Sequence, residues 1–72
     1  MGRWNRDEKG LTPRERQVYD LLVQGETCKE IGYRLELSTL TVKVMTSRIY
    51  HIFKVDGKAK LIVQHYASPR LQ

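Results

Sequence analysis

The side chains best suited to bind a ligand lie between residues 39 and 54, a stretch without glycine, proline or an acidic residue. On a helix of 3.6 residues per turn, its outer side collects Leu40, Lys43, Val44, Ser47, His51 and Lys54. Long donors, short hydroxyls and small apolar groups are the types that contact bases and phosphates in the major groove of DNA. Lys43, Ser47 and Val44 supply one of each. The stretch is therefore a candidate DNA-binding helix, although an ordinary amphipathic helix with a basic outer side has the same pattern.

Further DNA contacts are expected at the borders of that helix. Arg48 and Tyr50 lie at the two edges of its outer side. Thr39 and Thr41 stand at its N-terminus, where free backbone N–H groups and the helix dipole favour phosphate. Because the helix carries no acidic side chain, nothing on it repels the DNA backbone.

The net charge of +5 is concentrated in the second half of the chain. Residues 1–37 hold seven Lys or Arg and seven Asp or Glu, which cancel. From Ser38 onward only Asp56 opposes the basic residues, which are Lys43, Arg48, Lys54, Lys58, Lys60 and Arg70. A polyanion would be drawn toward this half of the domain. A solvated basic surface without a partner explains the charge equally well.

Length and residue types argue against an enzyme. Seventy-two residues form one small domain and leave no room for a separate substrate domain. Cys28 is the only cysteine, and His51 and His65 have no second ligand nearby, so we expect no disulfide, metal site or cofactor. The sequence shows no paired carboxylates, no nucleophile with a base and no glycine-rich phosphate loop. Short apolar segments and the lack of an export signal favour a cytoplasmic protein without a membrane partner.

The elements that position the candidate helix are encoded by local signals. Segments 12–15 (Thr-Pro-Arg-Glu) and 27–30 (Thr-Cys-Lys-Glu) are both capping boxes. They predict a helix at about 13–24 and a short second helix after residue 27, with Gly25 in the left-handed turn between them. The connection at 36–38 is so short that the second helix and the candidate helix must cross steeply.

Apolar periodicity predicts which sides of the last two helices are buried. The expected buried stripe of the third helix comprises Val42, Met45, Ile49, Ile52 and Phe53. A fourth helix is predicted over 58–66, with an apolar face of Ala59, Ile62, Val63 and Tyr66. Without strand-like alternation, the sequence predicts an all-α domain of four helices over 11–68, between a flexible arm at 1–10 and a tail at 69–72.

Several motifs follow one another in a specific order: Leu11-Thr12-Pro13-Arg14-Glu15-Arg16, Gly25, Lys29-Glu30-Ile31, Leu35, Ser38 and Thr41-Val42-Lys43-Val44. In this order and spacing they resemble the LuxR/GerE family of bacterial DNA-binding domains, and the resemblance covers about 11–66. It implies that the second and third helices form a helix-turn-helix and that the third reads DNA as part of a dimer. The positions that it places at bases are Lys43, Val44 and Ser47; those near phosphates are Lys29, Thr39 and Thr41.

The sequence also departs from the family pattern. Met45 replaces a common histidine, Thr46 a usual basic residue, Phe53-Lys54 a closing Leu-Gly, and Gly57 the polar N-cap of the fourth helix. Without a basic side chain at position 46, affinity for the groove is expected to rest more on Lys43, Arg48 and Lys54.

The fourth helix is the expected dimer contact. Its apolar face is broader than a small three-helix core can cover, and Leu61 at its side would be left in water in a monomer. The resemblance points to the same helix. We therefore expect Leu61, Val63 and His65 at a homodimer interface.

Two other functions also fit the sequence. Region four of sigma factors carries a similar Leu-Thr-Pro-Arg-Glu-Arg motif, although the well-formed fourth helix favours the LuxR/GerE type. A small protein-interaction modulator would keep the fold and use its basic side on an acidic partner. Binding of random duplex DNA at low salt would distinguish the modulator from a DNA-binding domain.

Overall fold

The computed structural model describes residues 10–67, and this part of the chain is all-α. Its helices are α1 Pro13–Val23, α2 Cys28–Leu35, α3 Thr39–Phe53 and α4 Lys58–Ala67. The four-helix fold predicted from the sequence is confirmed, with helix ends within a residue or two of those expected. The predicted arm and tail lie outside the described residues, apart from Gly10.

Both capping boxes are present. At α1 the Thr12 hydroxyl accepts from the backbone N–H of Glu15 (3.2 Å), and Glu15 Oε1 accepts from that of Thr12 (3.0 Å). Thr27 and Glu30 make the same reciprocal pair at α2, at 3.1 and 2.8 Å. Gly25 takes the left-handed conformation (φ 97°) between the two helices, as predicted. These bonds span three residues, so the sequence alone is enough to place the helix starts.

The α2–α3 connection is a tight turn built over Gly32. Glu36 ends α2 in the left-handed conformation (φ 59°), and the Leu37 N–H donates to the carbonyl of Gly32 (2.8 Å). A Cβ atom at Gly32 would lie 2.6 Å from the Leu37 carbonyl oxygen, so only glycine lets the chain pass this close. The turn places Ser38 at the N-cap of α3. Because the connection is so short, it restricts the angle at which α2 and α3 cross.

The core draws on all four helices and on Leu11, which precedes α1. Its buried apolar members are Leu11, Val18, Tyr19, Leu22, Val23, Ile31, Val42, Ile49 and Leu61. Val42 and Ile49 of α3 were expected here, but the stripe is rotated from the predicted one. Thr46 is buried, whereas Met45 and Ile52 are only partly buried. Thr46 tolerates burial because its hydroxyl donates to the Lys43 carbonyl of the same helix (2.9 Å).

Of the apolar face predicted for α4, only Ile62 packs against the core, and the expectation that Leu61 would lie in water is wrong. Leu61 is fully buried, while Val63 and Tyr66 are 64% and 68% exposed. The side of α4 that contacts the α1 region instead carries Lys58, Leu61, Ile62 and His65, of which Leu61 is buried and His65 stays exposed. This side contains two polar side chains, so hydrophobic periodicity does not find it.

Both polar side chains on this side of α4 are bonded to the α1 region. Lys58 Nζ donates to the carbonyls of Gly25 (3.2 Å) and Glu26 (2.8 Å) in the α1–α2 turn. His65 Nδ1 lies 2.8 Å from the Tyr19 hydroxyl, and the two rings meet edge to face. Tyr19 also stacks on Phe53 of α3, with centroids 4.9 Å apart. These contacts orient α4 and explain why Leu61 points inward.

Within residues 10–67, no helix is both long and apolar enough to cross a membrane. The same residues contain no cluster of three or more side chains able to hold a metal ion.

Candidate nucleic-acid interface

The N-terminus of α3 is ordered by Ser38. Its hydroxyl oxygen accepts from the backbone N–H of Thr41 (3.0 Å) and donates to the Thr41 hydroxyl (2.9 Å). Thr39 and Thr41 are both exposed, as a phosphate contact requires. The first turn of α3 contains no acidic residue, so its free N–H groups are available to an anion.

The outer side of α3 carries a surface that we name the reading face, formed by Leu40, Lys43, Val44 and Ser47. All four side chains are exposed, and Leu40 and Val44 are 71% and 64% exposed. Leu40 and Val44 lie one turn apart, as do Lys43 and Ser47, so an apolar row runs beside a polar one. Apolar side chains of this size gain free energy only when a partner covers them.

Three lysines around this surface make no ion pair within the described part of the chain. Lys43 lies on the reading face, Lys54 follows the end of α3 and Lys29 lies in the first turn of α2. Lys54 is the C-cap in the left-handed conformation (φ 59°), where the family pattern has glycine, and its N–H donates to the His51 carbonyl (3.2 Å). All three side chains are exposed and are free to meet phosphates.

Two further lysines in the described part of the second half are already engaged. Lys58 is bonded to backbone carbonyls, and Lys60 lies 3.4 Å from a carboxylate oxygen of Asp56. In the first half, Arg34 is paired with Glu26 at 2.7 Å, and this hydrogen bond raises the pKa of Arg34. Within residues 10–67 the formal charge therefore overstates how many cations the surface offers, and Lys43 and Lys54 of the α3 region are among those without an ion pair.

Arg48 and Tyr50 were expected as DNA contacts, but Arg48 also forms an ion pair within the domain and Tyr50 is partly buried. Arg48 Nε lies 2.6 Å from Glu15 Oε2, although 47% of the arginine side chain remains exposed. Tyr50 is partly buried, and burial raises the pKa of its hydroxyl, with a smaller effect from Cys28. Like any tyrosine it is protonated at neutral pH, so its hydroxyl can donate a hydrogen bond.

Thr46, Tyr33 and Leu61 lie where sequence reasoning did not place them. Thr46 is buried, so this position does not face a groove. Tyr33 on α2 is 88% exposed, which its aromatic side chain alone does not predict. Leu61 lies in the core and His65 is bonded to Tyr19, so of the three expected dimer residues only Val63 presents a free apolar surface.

A short helix joined by a tight turn to a longer one with an exposed, acid-free outer side defines a helix-turn-helix DNA-binding domain. Residues 9–65 match the family described as bacterial regulatory proteins, luxR family. The chain belongs to the luxR family, whose members are DNA-binding transcription regulators and not enzymes. This match favours the LuxR/GerE type over a sigma-factor module.

Several curated proteins are similar to this chain in sequence. The chain is 41% identical over 54 residues to the spore germination protein GerE of Bacillus subtilis, covering 75% of the chain and 73% of that protein. It is 36% identical over 58 residues to the nitrate/nitrite response regulator protein NarL of Escherichia coli, covering 81% of the chain. The putative HTH-type transcriptional regulator YhjB of E. coli is 36% identical over 55 residues. The chain spans only 27% of NarL and 28% of YhjB.

Proposed function

We propose that the chain binds specific DNA sequences by placing α3 in the major groove, and that it acts in the cytoplasm. The observation that carries the proposal is the reading face, where two apolar side chains, a lysine and a hydroxyl are exposed together on a helix without acidic residues. Val44 and Leu40 suit thymine methyl groups, and Lys43 suits the acceptors of guanine. Ser47 is compatible with several bases.

Contacts with the DNA backbone complete the proposed interface. Thr39, Thr41 and the N-terminus of α3 meet one phosphate group, and Lys29 meets another from α2. Lys54 contributes at the opposite end of α3, and the protonated Tyr50 hydroxyl donates beside it. These contacts fix the position of the helix on the duplex without selecting a sequence.

Selection of bound sites from random duplex DNA, followed by affinity measurements, tests this proposal. Lys43→Ala should weaken binding to the selected site by about 1–3 kcal/mol and relax the base preference. Lys54→Ala is the matched control, since it removes the same charge from a backbone contact and should weaken binding to all sequences alike. Unchanged affinity and preference in Lys43→Ala would contradict the proposed role of the reading face. If the chain binds an acidic protein but no duplex at low salt, it is instead a protein-interaction modulator.

We also propose that the domain binds as a two-fold dimer through the outer face of α4. Val63 and Tyr66 are exposed, and a shallow groove beside them is lined by Val55, Ala59, Lys60, Val63 and Gln64. This interface corresponds to the one expected from the sequence, except that Leu61 is buried in the core and takes no part in it. It is small, so dimerisation should be weak in free solution and favoured on DNA.

Val63→Glu tests the dimer. It should reduce affinity for an inverted repeat and spare a single half-site, because a buried unpaired carboxylate is costly only in the dimer. Gln17→Glu, an equal charge change on the exposed side of α1, is the control. Leu61→Glu is not a suitable test of the dimer, because it would place a carboxylate in the core. Equal stoichiometry and inverted-repeat affinity in both variants would exclude this face.

A further inference from the structure

The carboxylate of Glu15 is buried although it belongs to the first turn of α1, and only 9% of its side chain is exposed. Both of its oxygens have partners. Oε1 accepts from the backbone N–H of Thr12, and Oε2 lies 2.6 Å from Nε of Arg48 on α3. The helix cap of α1 and an arginine of the DNA-binding helix are thus joined through one carboxylate. The sequence predicts the cap but not this bridge to α3.

Arg48 retains donors after this contact. A guanidinium has five N–H donors, and Glu15 offers it one oxygen because the other is used by Thr12. Arg48 lies one turn after Val44 and next to Ser47, so it borders the reading face, and 47% of its side chain is exposed. The exposed part of the guanidinium is therefore available to a second anion beside the reading face.

An arginine that is held in place before binding loses less conformational freedom when it meets a phosphate. The other cations proposed to contact DNA, Lys29, Lys43 and Lys54, have no such support in the described part of the chain. We propose that Glu15 is a positioning residue, which holds Arg48 against a DNA phosphate at the edge of the reading face. This inference rests on the proposed DNA-binding function.

The direction in which Glu15→Gln changes DNA affinity distinguishes a positioning role from a simple charge effect. Glu15→Gln removes a negative charge, so electrostatics alone would strengthen DNA binding. If Glu15 positions Arg48, the same substitution should weaken binding, by about threefold to tenfold. Asp20→Asn is the matched control, because Asp20 is also a carboxylate of α1 paired with an arginine, Arg16 at 3.1 Å. It should leave affinity unchanged or slightly raised.

Folding is monitored in the same variants by thermal unfolding. Glutamine is accepted at this position of a capping box, so Glu15→Gln keeps the bond to the Thr12 N–H. Arg48→Lys and Arg48→Gln test the arginine without touching that cap. Arg48→Gln should lower the slope of log affinity against log salt concentration by about one, as expected for one lost phosphate contact. Arg48→Lys should retain that slope and lose affinity.

A double-mutant cycle gives the readout that a structural role would not produce. In an Arg48→Gln background, Glu15→Gln should have no further effect on DNA affinity, because Glu15 acts through Arg48. Additive effects would overturn the inference, as would an unchanged salt slope in Arg48→Gln or equal behaviour of Glu15→Gln and Asp20→Asn. Those outcomes leave the proposed function intact. A wild-type chain that binds no duplex would overturn both.

Discussion

The last two helices satisfy the polar groups of their packed sides in different ways. In α3, the buried Thr46 hydroxyl bonds to a carbonyl three residues earlier in the same helix. In α4, Lys58 and His65 bond to the α1–α2 turn and to Tyr19, which are 32 to 46 residues away in the chain. The buried polar group of α3 is therefore satisfied within its own helix, whereas the polar groups on the packed side of α4 depend on partners distant in the chain.

This difference also explains the exposed apolar side chains. Because Lys58 and His65 bond to the α1–α2 turn and to Tyr19, Val63 and Tyr66 are left on the opposite, exposed side. In α3 the outer apolar residues are Leu40 and Val44, which border lysine and serine. The two helices thus offer chemically distinct exposed surfaces, one with a lysine and a hydroxyl beside its apolar side chains and one that is mainly apolar.

The largest expected effect on stability comes from Leu61 of α4, which the sequence predicts to be exposed but which is buried. Leu61→Ala should lower the free energy of unfolding by about 2–5 kcal/mol, because it empties a fully buried site. Val63→Ala on the same helix should change it by less than about 0.5 kcal/mol. Denaturant unfolding of both variants measures the contrast. Equal losses would mean that α4 presents a different face to the core.

The turn before α3 should tolerate less change than the turn before α4. Gly32→Ala should cost about 1–3 kcal/mol, since the added Cβ meets the backbone carbonyl of Leu37, which cannot move without shifting α3. Gly57→Ala is the comparison, because nothing lies within 4 Å of its added Cβ and it should lose only the smaller free energy by which glycine is preferred to alanine at an N-cap. Thermal unfolding should separate the two variants clearly, and a Gly32→Ala melt equal to that of Gly57→Ala would contradict the close approach.

Lys58 should contribute more stability than its neighbour Lys60. Lys58→Met keeps most of the side-chain volume but loses the bonds to the Gly25 and Glu26 carbonyls, at a cost of about 1 kcal/mol. Lys60→Met removes only an exposed pair with Asp56 and should be close to neutral. If unfolding experiments give the two variants the same stability, the polar contacts of Lys58 do not orient α4.

The smallest effect concerns Tyr50 at high pH. Because burial raises the pKa of Tyr50 in the folded chain, its contribution to stability is fully present below about pH 10 and is lost as the pH rises through the folded-state value. Tyr50→Phe should therefore lose less stability than the wild type above pH 10, measured by thermal unfolding across a pH series. Tyr33→Phe, at an exposed tyrosine, is the control, and parallel curves for both variants would disprove the effect.

Three helix starts and the order of elements could be predicted from the sequence. The capping boxes at Thr12 and Thr27 and the Ser38 cap involve partners three residues away, so the local sequence contains both donor and acceptor. The exposed residues of the reading face also follow from helical spacing. The buried position of Thr46 did not, because its hydroxyl is satisfied by a bond that apolar periodicity does not represent.

The contacts between helices depended on tertiary packing, for the same physical reason in each case. Arg48 of α3 is paired with Glu15 of α1, and His65 is bonded to Tyr19, which lies 46 residues earlier in the chain. Such partners are distant in the chain, and hydrophobic periodicity treats each polar side chain as facing water. The sequence by itself determined which residues form helices and what chemistry the outer side of α3 offers. Only the folded structure decided which lysines form no ion pair, which arginine is held, and which side of α4 stays exposed.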